Sequence, residues 1–178
     1  MVYVFLAEGF EEIEALTPVD ILRRAGVEVT TVGVGGEYIT GAHSITVKAD
    51  VKDTDVLPKD IEMALLPGGM PGTLNLDASD TVHAFITKAE KQGAYIAAIC
   101  AAPSILGKRS LLVGKKATCY PGFEDKLLGA EIENCGVTVD GKIICGRAMG
   151  SAVEFALELV RALKGSEASE KVRSAILA

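Results

Sequence analysis

Short runs rich in apolar and β-branched residues alternate along the chain with longer segments in which apolar residues recur at helical spacing. The runs at residues 2–7, 27–34, 63–66 and 94–99 predict strands buried on both faces. Helical patterns end at Gly26, cover residues 79–92 and 151–163, and resume from residue 167. This alternation predicts an α/β fold, with a mostly parallel sheet and helices on both faces.

Two hairpins are also predicted. Residues 38–40 and 45–49 follow the turn at Gly35-Gly36, and residues 137–139 and 142–145 flank Asp140-Gly141, a dipeptide typical of a type I′ turn. In parallel sheets, ligands bind beyond the carboxyl ends of the strands. Candidate site residues are therefore those that follow residues 7, 66 and 99.

Composition fits one domain over residues 1–178. The chain has 178 residues, of which 49% are hydrophobic and 24% charged, enough for a substantial core. A net charge of −6 argues against nucleic acid or an anionic membrane as partner. No apolar run is long enough to span a membrane, and the first residues lack the features of an export signal, so we expect a cytoplasmic protein.

The four cysteines are best interpreted as free thiols. Cys100, Cys119, Cys135 and Cys145 show no CxxC spacing, and only His43 and His83 are available to complete a ligand set. A zinc site is therefore not expected, and nothing in the sequence calls for a cofactor. Cys135 and Cys145 are interpreted as structural.

Cys100 stands at the end of a predicted strand, ahead of small residues and an apolar helical segment. This order is typical of a nucleophile elbow with sulfur in place of oxygen, and a helix N-terminus would favour the thiolate. A buried structural cysteine fits the same position equally well. Gly68-Gly69 closes a neighbouring strand, so the N–H groups of Gly69 and Ala101 are candidate donors to an oxyanion. A plain tight turn is the alternative for the glycine pair.

Three carboxylates, Glu11, Glu12 and Glu14, follow the first strand. The next helix begins either at Thr17-Pro18 or near Glu11, in which case Pro18 interrupts its hydrogen bonding. Glu11 and Glu12 are interpreted as solvated charges near a helix N-terminus. Glu14 has apolar neighbours; facing inward, its carboxyl would stay protonated and donate a hydrogen bond to Cys100. A surface glutamate is the commoner fate of such a residue.

These residues together resemble the DJ-1/ThiJ/PfpI superfamily, and most closely its DJ-1 and YajL (ThiJ) branch. The resemblance covers nearly the whole chain and is carried by the segments at residues 9–14, 18–26, 66–69, 98–103 and 154–157. It implies a flavodoxin-like sandwich and a homodimer. It also implies Cys100 as the reactive thiol, Glu14 as its protonated partner, Gly69 and Ala101 as oxyanion donors, and Arg24 at the dimer-side rim of the site.

Two positions depart from that branch. Tyr120 stands where the branch often has a histidine, and His43 stands where the human-type protein has a second rim arginine. An exposed loop histidine is the alternative interpretation of His43. Because Ala101 follows the cysteine and no histidine lies downstream, a Cys-His protease is poorly supported. Family analogy places Cys119 near the site.

Two functions follow from the resemblance. The first is a cofactor-free glyoxalase III or protein deglycase-like activity, in which the Cys100 thiolate attacks a 2-oxoaldehyde such as methylglyoxal, or its protein adduct, and Glu14 shuttles a proton. The alternative is a redox-responsive protective or chaperone-like protein whose Cys100 is oxidised to a sulfinic acid that Glu14 stabilises.

Overall fold

The computed structural model describes all 178 residues. Its strands are β1 (Val2–Ala7), β2 (Val29–Val34), β3 (Tyr38–Thr40), β4 (Thr46–Lys48), β5 (Val51–Lys52), β6 (Met63–Leu66), β7 (Tyr95–Ile99), β8 (Lys116–Ala117), β9 (Glu131–Ile132), β10 (Val137–Asp140) and β11 (Ile143–Gly146). Its helices are α1 (Glu12–Arg24), α2 (Gly72–Asp77), α3 (Asp80–Gln92), α4 (Pro103–Lys108), α5 (Ala152–Lys164) and α6 (Ser166–Ala175).

A seven-stranded sheet forms the centre of the molecule, in the order β10-β11-β7-β6-β1-β2-β5. Every neighbouring pair in it is parallel except the hairpin β10–β11. The pairs β3–β4 and β8–β9 form two small separate ladders. The predicted strands and both hairpins are confirmed, and the carboxyl ends of β1, β6 and β7 meet at one edge of the sheet.

The sheet is covered on both faces, as β1 illustrates. Val2, Val4 and Leu6 pack with residues of α1 and α5, whereas Tyr3 and Phe5 pack on the other face with residues of α3 and α4. Since a strand buried on both faces has no polar side to alternate with, this packing explains the continuous apolar run. The predicted α/β sandwich is confirmed.

Helix α1 takes the earlier of its two predicted starts. It begins at Glu12, with Glu11 as its N-cap: a Glu11 carboxylate oxygen accepts a hydrogen bond from the Glu14 N–H at 2.8 Å. Pro18 lies inside the helix, so the Glu14 carbonyl lacks its usual helical donor. This start turns the first residues of α1 toward β6 and β7. No helix in the structure combines the length and apolar character that crossing a membrane requires.

Candidate active site

Cys100 occupies the sharp turn between β7 and α4. Its φ angle is +66°, in the left-handed region that side chains rarely adopt. Two hydrogen bonds hold the turn: the Cys100 N–H donates to the Gly146 carbonyl at 2.9 Å, and the Tyr120 N–H donates to the Cys100 carbonyl at 2.8 Å. The thiol is half-buried. This is the geometry of a nucleophile elbow rather than of a cysteine within a strand.

Gly68 allows the carboxyl of Glu14 to approach Cys100. A Cβ at position 68 would lie 2.5 Å from Glu14 Oε2 and 2.7 Å from Cys100 Cβ, closer than atoms can pack. The Gly68 N–H donates to Glu14 Oε2 at 3.1 Å. Gly69 has a φ of +91°, and a Cβ there would lie 2.3 Å from the Glu11 nitrogen. Both glycines are therefore required by close approach, not by a turn alone.

The Glu14 side chain faces inward and is 1% exposed. Burial raises the pKa of its carboxyl to about 7, against the lowering effect of hydrogen bonds with Cys100 and Gly68. A carboxyl with this pKa is able to hold a proton at neutral pH, as the inward-facing interpretation requires.

Cys100 and Glu14 share their protons. Burial and the negative charge of Glu14 raise the pKa of the Cys100 thiol to about 12, whereas N–H groups of Ala101 and Gly69 lower it. Between about pH 7 and about pH 12 the two side chains together therefore hold one proton. These values keep that proton mainly on the Cys100 sulfur. Its transfer to Glu14 removes the repelling charge and leaves a carboxyl that donates a hydrogen bond to the thiolate.

Gly69 and Ala101 are the backbone donors that the sequence predicted for an oxyanion. The N–H groups of Gly69 and Ala101 lower the pKa of the Cys100 thiol, which makes them candidate donors to an oxygen that develops on an atom bound to that sulfur. The structure thus brings together Cys100, Glu14, Gly69 and Ala101 at the carboxyl ends of β6 and β7.

The three predicted rim residues have different positions. The Tyr120 backbone contacts the elbow, while its side chain is 49% exposed. His43 lies in the loop between β3 and β4. Arg24 lies at the far end of α1, roughly 15 Å from Glu14 at about 1.5 Å per residue, and pairs with Asp20 at 2.7 Å. Arg24 is thus not part of the site within one protomer.

Glu12 was interpreted from sequence as a solvated charge, and this is wrong. Its side chain is 7% exposed and its carboxylate binds His43 at 3.0 Å. Sequence reasoning missed it because the covering residues come from the loop at 41–45, far away in the chain. Glu11, Glu12 and His43 place possible ligand atoms within 4.8 Å of one another. The Glu12 oxygens, however, already accept hydrogen bonds from this loop.

Cys119 directly precedes Tyr120, whose N–H binds the elbow, whereas the contacts of Cys135 and His83 are with other residues. Cys119 and Cys145 are buried, and burial raises the pKa of their thiols to about 11 and about 12. Cys135 is exposed, and its thiol donates to the Val137 carbonyl at 3.3 Å. His83 contacts the Asp77 carbonyl and Arg109 on the α3 side of the sheet.

The largest surface cavity does not contain Cys100. It measures about 650 Å³ and lies between α1 and the chain end, with Leu16, Ile21, Arg24 and Ile176 among its lining residues. The elbow and the buried carboxyl, which supply a nucleophile and a proton carrier, do not line this cavity.

The fold and the thiol–carboxyl pair define a class of α/β proteins with a cysteine at a nucleophile elbow beside a buried carboxyl. The chain belongs to the DJ-1/PfpI family, whose family model matches residues 1–162. It is 35% identical over 177 residues to protein dj-1beta of Drosophila melanogaster, covering 98% of this chain and 95% of that protein. The structure of oxidized Toxoplasma gondii DJ-1 superposes with a TM-score of 0.95 at 36% identity, covering 99% of this chain and 97% of the other.

Two further relatives have names that state an activity. The glutathione-independent glyoxalase DJR-1.2 of Caenorhabditis elegans is 32% identical over 162 residues, with 90% of this chain and 86% of the relative covered. A deglycase of Pyrococcus abyssi is 31% identical over 166 residues, with 92% and 99% covered.

Proposed function

We propose that this protein converts small 2-oxoaldehydes such as methylglyoxal, or their protein adducts, into hydroxy acids without a cofactor. The observation that carries the proposal is the pairing of Cys100 with a buried carboxyl of raised pKa. The names of the glyoxalase and deglycase relatives support the same chemistry. A nucleophile and an adjacent proton carrier are what an internal redox rearrangement of an aldehyde requires.

The first step forms a carbon–sulfur bond. With the shared proton on Glu14, the Cys100 thiolate attacks the aldehyde carbon, and Glu14 donates its proton to the carbonyl oxygen to give a hemithioacetal. The N–H groups of Gly69 and Ala101 stabilise the negative charge on that oxygen before it is protonated.

The second step moves a proton within the substrate. The Glu14 carboxylate removes the hydrogen from the former aldehyde carbon and returns it to the neighbouring carbon, while the hydroxyl proton passes between the two oxygens. The product is a hydroxyacyl thioester on Cys100. One carbon is oxidised and the other reduced, so no external oxidant is needed. Hydrolysis by water then releases the hydroxy acid and regenerates the thiol.

Lactate production from methylglyoxal tests the proposal. We expect wild type to be active and Cys100→Ser and Glu14→Gln to lose at least about a hundredfold in turnover, as for general acid–base groups. Cys135→Ser is the matched control, because its thiol is exposed and hydrogen-bonds the Val137 carbonyl; it should keep wild-type activity. A wild type without lactate production, or a Cys100→Ser variant with undiminished turnover, would overturn the proposal.

A second candidate function is oxidant sensing through Cys100. The observation that favours it is the set of hydrogen-bond donors near the sulfur. The N–H groups of Gly69 and Ala101 and a protonated Glu14 are able to hydrogen-bond the oxygens of a sulfinate. We expect peroxide to oxidise Cys100 ahead of Cys135 in wild type and to lose that selectivity in Glu14→Gln, as measured by peptide mass spectrometry. Equal oxidation of both thiols in wild type would remove this candidate.

We further propose that the protein is a cytoplasmic homodimer. Arg24 lines the large cavity beside α1, and its distance from Glu14 means that it would reach a Cys100 site only from a partner copy. Sedimentation analysis is expected to give twice the chain mass. A monomer at micromolar concentration would contradict the dimer and exclude Arg24 from the site.

A further inference from the structure

Three side chains that the proposed reaction does not use form a cluster of potential metal ligands. The carboxylates of Glu11 and Glu12 and a ring nitrogen of His43 supply ligand atoms that all lie within 4.8 Å of one another. The two glutamates stand at the start of α1, and the histidine comes from the loop between β3 and β4. The fold, rather than spacing along the sequence, therefore brings the histidine to the carboxylates.

One oxygen of the Glu12 carboxylate holds this loop in place. Glu12 Oε1 accepts the backbone N–H of His43 at 2.8 Å and the backbone N–H of Ile45 at 3.5 Å. A Cβ at Gly41 would fall 2.4 Å from the same carboxyl, so glycine is required where the loop passes over it. Because these contacts use Oε1 and the backbone, they fix the loop without occupying the second oxygen, Oε2.

The second oxygen faces the histidine ring at a distance that suits a metal ion. Glu12 Oε2 lies 3.0 Å from His43 Nδ1. Ligand atoms about 2.1 Å from a divalent ion are about 3.0 Å apart at neighbouring positions and about 4.2 Å apart at opposite ones. The Oε2–Nδ1 separation matches a neighbouring pair, and the 4.8 Å that bounds the whole cluster is close to an opposite pair. An ion is thus able to replace the proton between Oε2 and Nδ1 with little side-chain movement.

The charges of the cluster also favour a cation. The Glu12 side chain is 7% exposed, and its ion-pair partner is the His43 ring, not a lysine or an arginine. Glu11 uses Oε2 to accept the Glu14 N–H at 2.8 Å, which leaves its Oε1 for another partner. A buried carboxylate needs a partner of opposite charge or several hydrogen bonds, and a second carboxylate beside it adds repulsion. A divalent cation would balance both charges, which a neutral imidazole does not.

We propose that Glu11, Glu12 and His43 bind a divalent transition-metal ion such as Zn²⁺. Glu12 Oε2, His43 Nδ1 and Glu11 Oε1 are the protein ligands. Water completes the coordination, since the His43 ring is 69% exposed. When the ion binds the neutral ring, the ring proton moves from Nδ1 to Nε2. The ion would fasten the loop between β3 and β4 to the start of α1.

The ligand types determine which ions are expected. An imidazole nitrogen suits zinc and neighbouring transition metals, whereas Mg²⁺ and Ca²⁺ prefer sites made of oxygen alone. Three protein ligands are one fewer than a closed structural zinc site has, so we expect an exchangeable ion. Cysteine spacing did not reveal the site, because its ligands are two carboxylates and one distant histidine.

Calorimetric titration of the full chain with Zn²⁺ tests the site. We expect one ion per chain, and an affinity at least about tenfold lower in His43→Gln and in Glu11→Gln, since losing even a group that only orients a ligand costs this much. His83→Gln removes the other histidine of the chain and is the matched control, which should bind as wild type. Mg²⁺ should bind at least about tenfold more weakly than Zn²⁺.

Two further measurements separate this site from other zinc ligands. Thiolates also bind zinc, so the titration is repeated with Cys100→Ser/Cys135→Ser, in which we expect the same single ion. Thermal unfolding gives a second readout, because an ion that binds only the folded state raises the midpoint. Zn²⁺ should raise it in wild type and not in His43→Gln, which should fold because the ring is exposed.

Two results would overturn this proposal. Equal Zn²⁺ affinity in wild type and His43→Gln would remove the histidine ligand and with it the site. Binding that disappears in Cys100→Ser/Cys135→Ser would assign the ion to a thiol instead. Neither measurement requires lactate production, so failure of the metal site and failure of the proposed function are distinguishable.

Discussion

Glu12 and Glu14 are two positions apart in α1, and both are buried, yet they have opposite protonation behaviour. The pKa of Glu14 is raised to about 7 by burial, while the pKa of Glu12 is lowered because hydrogen bonds outweigh burial. Glu14 faces a thiol that competes for its proton, whereas Glu12 accepts donors from a whole loop. Burial is the largest influence on both carboxyls, and the number and kind of donors decide whether it is outweighed.

The largest expected effect is the change with pH that the Glu14 carboxyl causes in the free energy of unfolding. Its folded pKa is about 7 against 4.5 for the free side chain, so the folded state binds this proton more tightly. Wild type should therefore lose about 3 kcal/mol relative to Glu14→Gln as pH rises from about 4 to about 8. Urea denaturation of both proteins at the two pH values measures this change. A stability difference that does not vary with pH would show that Glu14 does not titrate as described.

Gly41→Ala should disturb the packing of the loop on the Glu12 carboxyl and leave the surroundings of Glu14 unchanged. The new Cβ would overlap the Glu12 carboxyl, so we expect a loss of about 2 kcal/mol in the free energy of unfolding. Gly36→Ala is the control, since its nearest atom would be 3.7 Å away. Equal stability of the two variants in urea would contradict the close packing of the loop on Glu12.

Glu12→Gln should give a pH dependence opposite in sign to that of Glu14→Gln. Because the folded pKa of Glu12 is lowered, its contribution is present above the unfolded pKa and is lost as pH falls through the folded one. We expect the variant to be less stable by about 1–2 kcal/mol at pH 7, from lost charge-assisted hydrogen bonds. The deficit should shrink below about pH 4.5. Thermal unfolding across this range measures the trend, and a deficit that grows in acid would refute it.

The smallest expected effect is that of His43→Gln on stability. The pair joins a buried carboxylate to an exposed ring, and the backbone N–H of residue 43 remains to bind Glu12. We expect a change within about 0.5 kcal/mol at pH 7, seen as nearly coincident urea curves. A loss as large as that of Glu12→Gln would mean that the ring, not the backbone, holds the loop.

The sequence predicted the strands well because their apolar runs are continuous. The short elements were missed: β5, β8 and β9 have two residues each, and α2 is only six residues long, too short for a periodic signal. Local patterns left a structural cysteine at position 100 and a surface glutamate at position 14 as open alternatives, and the resemblance to the family was needed to choose between them. The burial of Glu12 depends on a loop some thirty residues away in the chain, which no local pattern reports.

The positive φ of Cys100 also has a cost in conformational free energy. A non-glycine residue in that conformation costs of order 1–3 kcal/mol, which glycine at the same position would largely avoid. A lineage that kept only the fold would therefore gain stability by replacing this cysteine. Its presence on the strained turn is therefore a cost in stability that the fold alone does not require.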